Sequence, residues 1–257
     1  MPRAPDELRA LVEERLDELR LWPQLHGQAE SVRYSLSVGG KRVRPVICLA
    51  TGEAAGVEPE EALPAACAVE LVHTFSLVHD DLPALDGDEE RRGQPSTWRQ
   101  FGEAVGILAG DALLAEAFRL ATAYETPHVA RELANATLGM IGGQYLDITG
   151  TAPDEATLHK LKTGCLFAAS VAIPLWVAGM PPPEQDPWRA FGDELGLLFQ
   201  IVDDILDGDG FALAHGVDGA RGLADEAAER ARTRLAAIDA DTSVLREIVD
   251  GLAVRTA

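Results

Sequence analysis

The chain has 257 residues, of which 47% are hydrophobic and 25% are charged, and its 42 acidic residues against 22 lysines and arginines give a formal net charge of −20. So large an excess of acid disfavours nucleic acid and anionic membranes as partners, because both attract proteins through Lys and Arg. The length permits a sizeable buried core and no linker is visible, so residues 1–257 are expected to form a single domain.

Apolar residues recur at helical spacing along nearly the whole chain, for example at Leu8, Val12 and Leu16. Glycines and prolines fall between these periodic segments, and no convincing alternating strand pattern is present. The sequence therefore predicts an all-α fold of about ten helices. The predicted helices span residues 6–21, 24–38, 45–55, 64–82, 97–106, 107–124, 127–149, 154–173, 187–208, 218–239 and 242–254.

Cysteine usage and the N-terminal segment predict a cytoplasmic protein. Cys48, Cys67 and Cys165 are widely spaced and form no metal-ligand pattern, so we expect small buried residues in a reducing compartment. The N-terminal segment is charged and lacks the apolar core of a signal peptide. Residues 163–183 carry no charge, but prolines interrupt and close this stretch, which predicts buried core helices and not a membrane span.

The predicted helix 64–82 ends in two adjacent acids, Asp80 and Asp81, shortly before Pro83. Because proline cannot continue a helix, both acids lie in its last turn. The helix dipole is negative there and disfavours each carboxylate by about 0.3–1 kcal/mol. Solubility alone explains such a placement poorly.

The same arrangement recurs at Asp203, Asp204 and Asp207, followed by Gly208. Asp203 and Asp207 are four residues apart and face the same side of a helix. Oxygen ligands without His or Cys select a hard cation, and Mg²⁺ typically takes one or two carboxylates while phosphate oxygens and waters complete its shell. The paired motifs predict a Mg²⁺–diphosphate site, although either one alone could be an acidic loop formed by chance.

Two basic clusters supply the complementary charge. Residues 39–45 read GGKRVRP, and Arg91 and Arg92 follow the first acidic motif. Arginines bind phosphate oxygens through two hydrogen bonds and lysine acts as a point charge, so a mixed cluster beside glycines suits a diphosphate. The GxxxxGK[ST] signature of a P-loop is absent. Taken alone, residues 39–45 could equally be a helix end with ordinary surface bases.

Together these motifs resemble the trans-isoprenyl diphosphate synthases of the bacterial farnesyl and geranylgeranyl diphosphate synthase type. The resemblance covers nearly the whole chain. It is carried by GGKRVRP at 39–45, LVHTFSLVHDDLPALDGDEERRG at 71–93, MIGGQYLDI at 140–148, KLKTG at 160–164 and GLLFQIVDDILD at 196–207. It implies an isoprenoid-synthase-type helical bundle around a deep central cavity, with the two aspartate motifs facing each other across its mouth.

The resemblance also implies roles for individual residues. A cluster of about three Mg²⁺ ions would be held on the allylic diphosphate by Asp80, Asp81, Asp86, Asp203, Asp204 and Asp207. Arg91 and Lys162 would contact the allylic diphosphate, and the diphosphate of isopentenyl diphosphate would be bound by Lys41, Arg44, His73 and Arg92. The remaining residues are Lys162, Thr163 and Gln200 for carbocation stabilisation, Gln144 for substrate contact, and Phe75 and Ser76 for chain length.

The implied reaction is ionisation of the allylic C–O bond, attack of the isopentenyl double bond on the carbocation, and loss of a proton. The substrates would be isopentenyl diphosphate and dimethylallyl or geranyl diphosphate. The product would be a short all-trans prenyl diphosphate, C15 favoured over C20, because the aromatic Phe75 would fill the cavity floor. The resemblance further implies a homodimer, and no stable membrane insertion is expected.

Three of these residues have structural alternatives. His73 could be a satisfied core histidine, and Phe75 could be an ordinary core aromatic. Gln144 could belong to a helix contact that Gly142 and Gly143 allow.

The segment after Asp207 departs from the family, which usually carries a flexible lysine-bearing loop there. Here residues 208–210 run straight into an apolar segment without a lysine. Either the lid is shortened, or residues are missing at this point, which the short connections at 126–128 and 148–154 favour. The C-terminal residues 254–257 also lack the extra basic residues that often help to close the site.

Other functions remain open on the sequence alone. A non-catalytic regulatory subunit of a prenyl synthase is disfavoured because both aspartate motifs survive. A terpene cyclase of similar fold would carry an Asn/Ser/Glu metal motif in place of Asp203, Asp204 and Asp207. A phosphohydrolase lacks any general-base constellation.

Overall fold

The computed structural model describes residues 2–256. Helices make up most of this part of the chain, joined by one short strand pair and by short 3₁₀ and π segments. The α-helices are α1 Pro5–Asp17, α2 Gln28–Ser37, α3 Val43–Ala54, α4 Pro59–Asp80, α5 Thr97–Phe101, α6 Glu103–Ala121, α7 His128–Thr149, α8 Glu155–His159, α9 Cys165–Val177, α10 Pro182–Asp207, α11 Gly210–Ala236 and α12 Ser243–Ala253. The other elements are 3₁₀ turns at Pro23–Leu25 and Val254–Thr256, a π-helical segment at Lys160–Gly164, and strands β1 Glu90–Arg91 and β2 Gln94–Pro95.

Helix α4 is the centre of the bundle. It packs against α3, α6 and α9, and apolar residues on all its sides are buried, as expected for a core helix. Helix α10 packs against α9 and α11. The same continuous core includes the N-terminal helix through Leu8 and Val12 and the C-terminal helix through Val249.

Two segments, Pro59–Asp80 and Glu155–Val177, are long and apolar enough to cross a membrane by length and composition. In their most apolar windows, 67% and 50% of the residues are buried inside the fold. Burial of this kind is typical of core helices, and the second segment includes most of the uncharged stretch 163–183 discussed above.

The structure confirms the all-α prediction and corrects several boundaries. Helices α4 and α10 start at Pro59 and Pro182, each five residues before the predicted start, because proline suits the first turn of a helix. Both helices continue through a second proline, Pro64 and Pro187. The predicted break at residue 106 lies instead at Gly102, whose φ is +90°. Residues 210–217, predicted as irregular, belong to α11, which is kinked at Gly216.

Cys48 and Cys67 are buried as predicted, and Cys165 is half-buried. Burial raises the pKa of the Cys67 thiol to about 12, so this side chain behaves as a small apolar residue.

Candidate active site

A cavity of about 430 Å³ lies between the ends of α4, α7 and α10 and the π-helical segment. Its wall combines charged groups from both predicted motifs with apolar side chains. The lining residues are Arg44, His73, Phe75, Ser76, Leu77, His79, Asp80, Leu85, Met140, Ile141, Gln144, Tyr145, Ile148, Lys162, Thr163, Leu166, Phe199 and Asp203. One acid from each aspartate motif therefore faces the same space, as the resemblance implied.

The first motif divides its two acids between different roles. Asp80 lines the cavity, and burial raises the pKa of its carboxyl group to about 6. Asp81 is 3% exposed and its Oδ1 accepts a hydrogen bond from Arg91 Nε at 3.0 Å. Asp86 is exposed, and its N–H donates to the carbonyl of Asp80 at 2.9 Å, which folds the loop back over the end of α4.

The second motif is divided in the same way. Asp203 lines the cavity, and burial together with repulsion from Asp207 raises the pKa of its carboxyl group. Asp204 is buried instead, where it accepts hydrogen bonds from Gln200 Nε2 at 2.6 Å and from the N–H of Phe211 at 2.8 Å. Asp207 is exposed in the last turn of α10.

A second cavity of about 370 Å³ adjoins the first and is strongly basic. Four residues line both cavities, namely Arg44, His73, Phe199 and Asp203. Of the two cavities, only the basic one is also lined by Lys41, Arg92 and Arg255. Arg255 thus supplies one base from the C-terminal segment, although this segment lacks the extra basic residues discussed above. In the sequence Arg255 is a single arginine far from every motif, and only folding brings it to the basic cavity.

The loop before α3 is fixed by a buried ion pair. Arg42 takes a left-handed conformation with φ +49°, and its Nη1 bonds Glu70 Oε1 at 2.7 Å while its Nε bonds Glu13 Oε1 at 2.9 Å. Both Arg42 and Glu70 are nearly inaccessible to solvent. These ion pairs hold the Arg42 guanidinium in place, and its neighbours Lys41 and Arg44 line the basic cavity.

Arg44 is a desolvated cation of this cavity that no carboxylate pairs with among the described residues. Burial lowers the pKa of its guanidinium to about 10, and its charge lies 4.3 Å from the ring centroid of Phe167. Its Nε has no hydrogen-bond partner among the described residues, and Nη1 lies 3.4 Å from His73 Nε2. Burial and the nearby arginines lower the pKa of His73 well below its usual value, so this ring is neutral near pH 7. A buried cation with an unused donor is suited to binding an anion.

The strand pair positions Arg91 and Arg92. Strands β1 and β2 pair antiparallel around a tight turn in which Arg92 and Gly93 have φ of +55° and +76°. Arg91 then reaches Asp81 and Arg92 donates to the carbonyl of Gly39. Arg91 thus lies in a separate small pocket with Asp81, and its guanidinium does not line either large cavity.

The KLKTG segment forms the π-helix that carries Lys162 and Thr163 into the cavity wall. Such irregular turns are frequent at functional sites. Gly143 of α7 allows it to approach, because a β-carbon there would overlap the backbone of Lys162, whereas Gly142 has open space around it. Lys162 Nζ pairs with Asp147, and both polar atoms of the Gln144 side chain are buried without a partner among residues 2–256.

The fold thus gathers most of the predicted site residues and separates a few. Those lining one or both large cavities are Lys41, Arg44, His73, Phe75, Ser76, Asp80, Arg92, Gln144, Lys162, Thr163 and Asp203. Those outside both are Asp81, Asp86, Arg91, Gln200, Asp204 and Asp207. Gln200 lines a different pocket, next to Phe211, because its amide is bonded to Asp204.

The donor set fits a hard divalent cation. Asp80 and Asp203 offer carboxylate oxygens, and neither accepts a side-chain hydrogen bond within the described part of the chain. No three His, Cys, Asp or Glu side chains of residues 2–256 converge closely enough to hold an ion by themselves. Mg²⁺ commonly binds through one or two carboxylates together with substrate phosphates, which is what this arrangement offers.

Comparison with known proteins identifies the class. A family model described as polyprenyl synthetase matches residues 27–216. A geranylgeranyl diphosphate synthase of Cyanophora paradoxa is 44% identical over 194 residues, which cover 69% of this chain and 64% of that protein. A farnesyl diphosphate synthase of Bacillus subtilis is 40% identical over 196 residues, covering 70% of this chain and 66% of that protein. The matches thus span slightly less than two thirds of these relatives.

The fold agrees with the sequence match. The apo crystal structure of an FPP/GFPP synthase from Zymomonas mobilis superposes with a TM-score of 0.87 at 30% identity, covering 97% of each chain. The chain belongs to the polyprenyl synthetase family, that is, to the trans-isoprenyl diphosphate synthases.

Proposed function

We propose that the protein condenses isopentenyl diphosphate with an allylic diphosphate, dimethylallyl or geranyl, to a short all-trans prenyl diphosphate. One observation carries the proposal: an acid from each aspartate motif, Asp80 and Asp203, faces one cavity that is lined mainly by apolar side chains and that adjoins a basic cavity. The names of the relatives above, which include both farnesyl and geranylgeranyl synthases, support the reaction class.

Each of the two cavities would bind the diphosphate of one substrate. Lys41, Arg44 and Arg92 would hold the diphosphate of isopentenyl diphosphate, since they surround the basic cavity. Asp80 and Asp203 would hold Mg²⁺ on the allylic diphosphate, and the ion would supply the charge neutralisation that makes diphosphate a leaving group. The apolar wall would keep water from the cation, while Thr163 and Gln144 provide oxygen dipoles.

The direct test is incubation with labelled isopentenyl diphosphate, dimethylallyl diphosphate and Mg²⁺, followed by sizing of the products. The proposal predicts elongated prenyl diphosphates. A protein that is folded and yields none would overturn it, and would favour the non-catalytic subunit instead.

Within this proposal C15 is favoured over C20 because Phe75 is buried in the cavity wall, beside Ser76. Phe75→Ala is expected to lengthen the main product by at least one isoprene unit, since removal of the ring deepens the cavity. Product sizing by mass spectrometry measures the change. Phe118→Ala, a partly buried aromatic that lines neither cavity, is the matched control. Equal lengths in wild type and Phe75→Ala would place the limit elsewhere.

We further propose a homodimer that uses the outer faces of α6 and α7. Large apolar side chains that line neither cavity are exposed there, namely Ile107, Leu108 and Leu138. Patches of this kind mark interaction surfaces. Sedimentation equilibrium should give twice the chain mass of 27.4 kDa, and Leu138→Glu should reduce it to one. A monomeric wild-type protein at micromolar concentration would contradict the proposal.

A further inference from the structure

The ring of His79 connects the end of α4 to α6. His79 directly precedes Asp80, and its Nε2 lies 3.0 Å from the carbonyl oxygen of Ile107. Because a carbonyl oxygen only accepts, Nε2 carries the hydrogen and donates. This bond fastens the turn that bears Asp80 to the first half of α6.

A glycine of α6, Gly110, makes room for this contact. A β-carbon at Gly110 would overlap the His79 ring. Gly110 therefore leaves a groove in α6 that seats the His79 ring at the end of α4.

The other side of the His79 ring contacts Phe75. The two ring centroids are 4.9 Å apart at an interplanar angle of 71°, an edge-to-face arrangement. Both side chains line the large cavity. His79 therefore lies between the rigid backbone of α6 and the aromatic ring proposed to form the cavity floor.

We infer that His79 is a positioning residue for product length: seated in the Gly110 groove, it holds the Phe75 ring across the cavity. The inference rests on the proposed prenyl transfer and on the proposed role of Phe75. The sequence alone does not connect His79 with Gly110, because the two residues are thirty-one positions apart. Only the packing of α4 on α6 brings them together.

The experiment compares product distributions of His79→Ala, His79→Gln and Gly110→Ala with wild type, using labelled isopentenyl diphosphate. His79→Ala frees the Phe75 ring and is expected to raise the ratio of longer to shorter products at least severalfold. Gly110→Ala displaces the imidazole and should shift the ratio in the same direction. His79→Gln keeps a donor for the Ile107 carbonyl and should lie closer to wild type.

A double variant and a stability control separate positioning from general damage. His79→Ala combined with Phe75→Ala should give the distribution of Phe75→Ala alone, because His79 acts through that ring. Leu114→Ala, a core-packed residue of α6 outside the cavity lining, should lower the melting temperature without changing the ratio.

Two results would overturn the inference: wild-type product ratios in the His79 and Gly110 variants, or shifts of His79→Ala and Phe75→Ala that simply add. If His79→Ala does not fold, the ratios of longer to shorter products made by Gly110→Ala and His79→Gln test the inference instead. A wild-type protein that makes no elongated product refutes the proposed function itself, whereas unchanged ratios in an active enzyme refute only the role of His79.

Discussion

Asp80→Ala and Asp203→Ala are each expected to lower kcat by about 10²–10³-fold, the usual effect of removing a group that stabilises transition-state charge. Both carboxylates face the cavity, and burial raises the pKa of each. An ionised acid in that position opposes the helix dipole, so its removal should leave the melting temperature unchanged or slightly higher. Loss of turnover without loss of stability is the signature of a functional acid.

The control is Asp186→Ala, which removes an exposed acid from the first turns of the same helix α10. Its kcat should match wild type. Near-wild-type turnover in either Asp80→Ala or Asp203→Ala would contradict the placement of the ion between the two motifs. A large drop in melting temperature would show instead that the acids serve the fold.

Arg44→Ala is expected to lower kcat/KM for isopentenyl diphosphate by about thirtyfold or more, because truncating a buried charge that binds a partner costs about 2–5 kcal/mol. Arg44 is the desolvated cation between the two cavities, with Nε unpartnered and its guanidinium over the ring of Phe167. The loss should appear mainly in KM for isopentenyl diphosphate. Steady-state kinetics with each substrate varied in turn measures it.

Arg255→Ala is the matched comparison for Arg44, because it removes the same charge from the wall of the same cavity. Arg44 lies over the Phe167 ring and burial lowers the pKa of its guanidinium, whereas Arg255 extends from the C-terminal 3₁₀ turn, so a smaller and more salt-dependent effect of Arg255→Ala is expected. Equal effects of the two variants would mean that burial of Arg44 is irrelevant to binding. An Arg44→Ala effect confined to KM for the allylic substrate would reverse the assignment of the cavities.

The sequence was sufficient for the fold class because apolar periodicity marks helices directly, and prolines and glycines mark their ends. It failed at details that packing decides. Pro64 looked like a helix start, yet α4 begins a turn earlier, where Pro59 and Ala62 are buried. The π-helical segment Lys160–Gly164 has no signature in a 3.6-residue pattern.

For the site, the motifs identified the residues that face the cavity but not those that turn away. Asp81 and Asp204 are indistinguishable from Asp80 and Asp203 by spacing. Only the fold shows that Asp81 pairs with Arg91 and that Asp204 caps the start of α11. Long-range contacts of this kind, like the approach of Arg255, are set by tertiary packing and leave no local trace.

The position of Asp204 is tied to the short connection after Asp207. Gly208 ends α10 with φ +75°, and Gly210 allows the chain to turn closely over the Asp204 carboxylate. The N–H of Phe211 then donates a hydrogen bond to Asp204 Oδ2. In place of the lysine-bearing loop expected from the family, residues 208–209 join α10 to α11. The Asp204 carboxylate stabilises this short connection by accepting the hydrogen bond from Phe211.

Binding of an unreactive allylic diphosphate analogue, with sulfur in place of the bridging oxygen, tests most directly whether the two aspartate motifs form one diphosphate site. Isothermal titration calorimetry should show saturable binding with Mg²⁺ present. Binding should be lost with EDTA and weakened at least tenfold in both Asp80→Ala and Asp203→Ala, but not in Asp186→Ala. Binding of equal strength with and without Mg²⁺, or in wild type and both aspartate variants, would contradict the account.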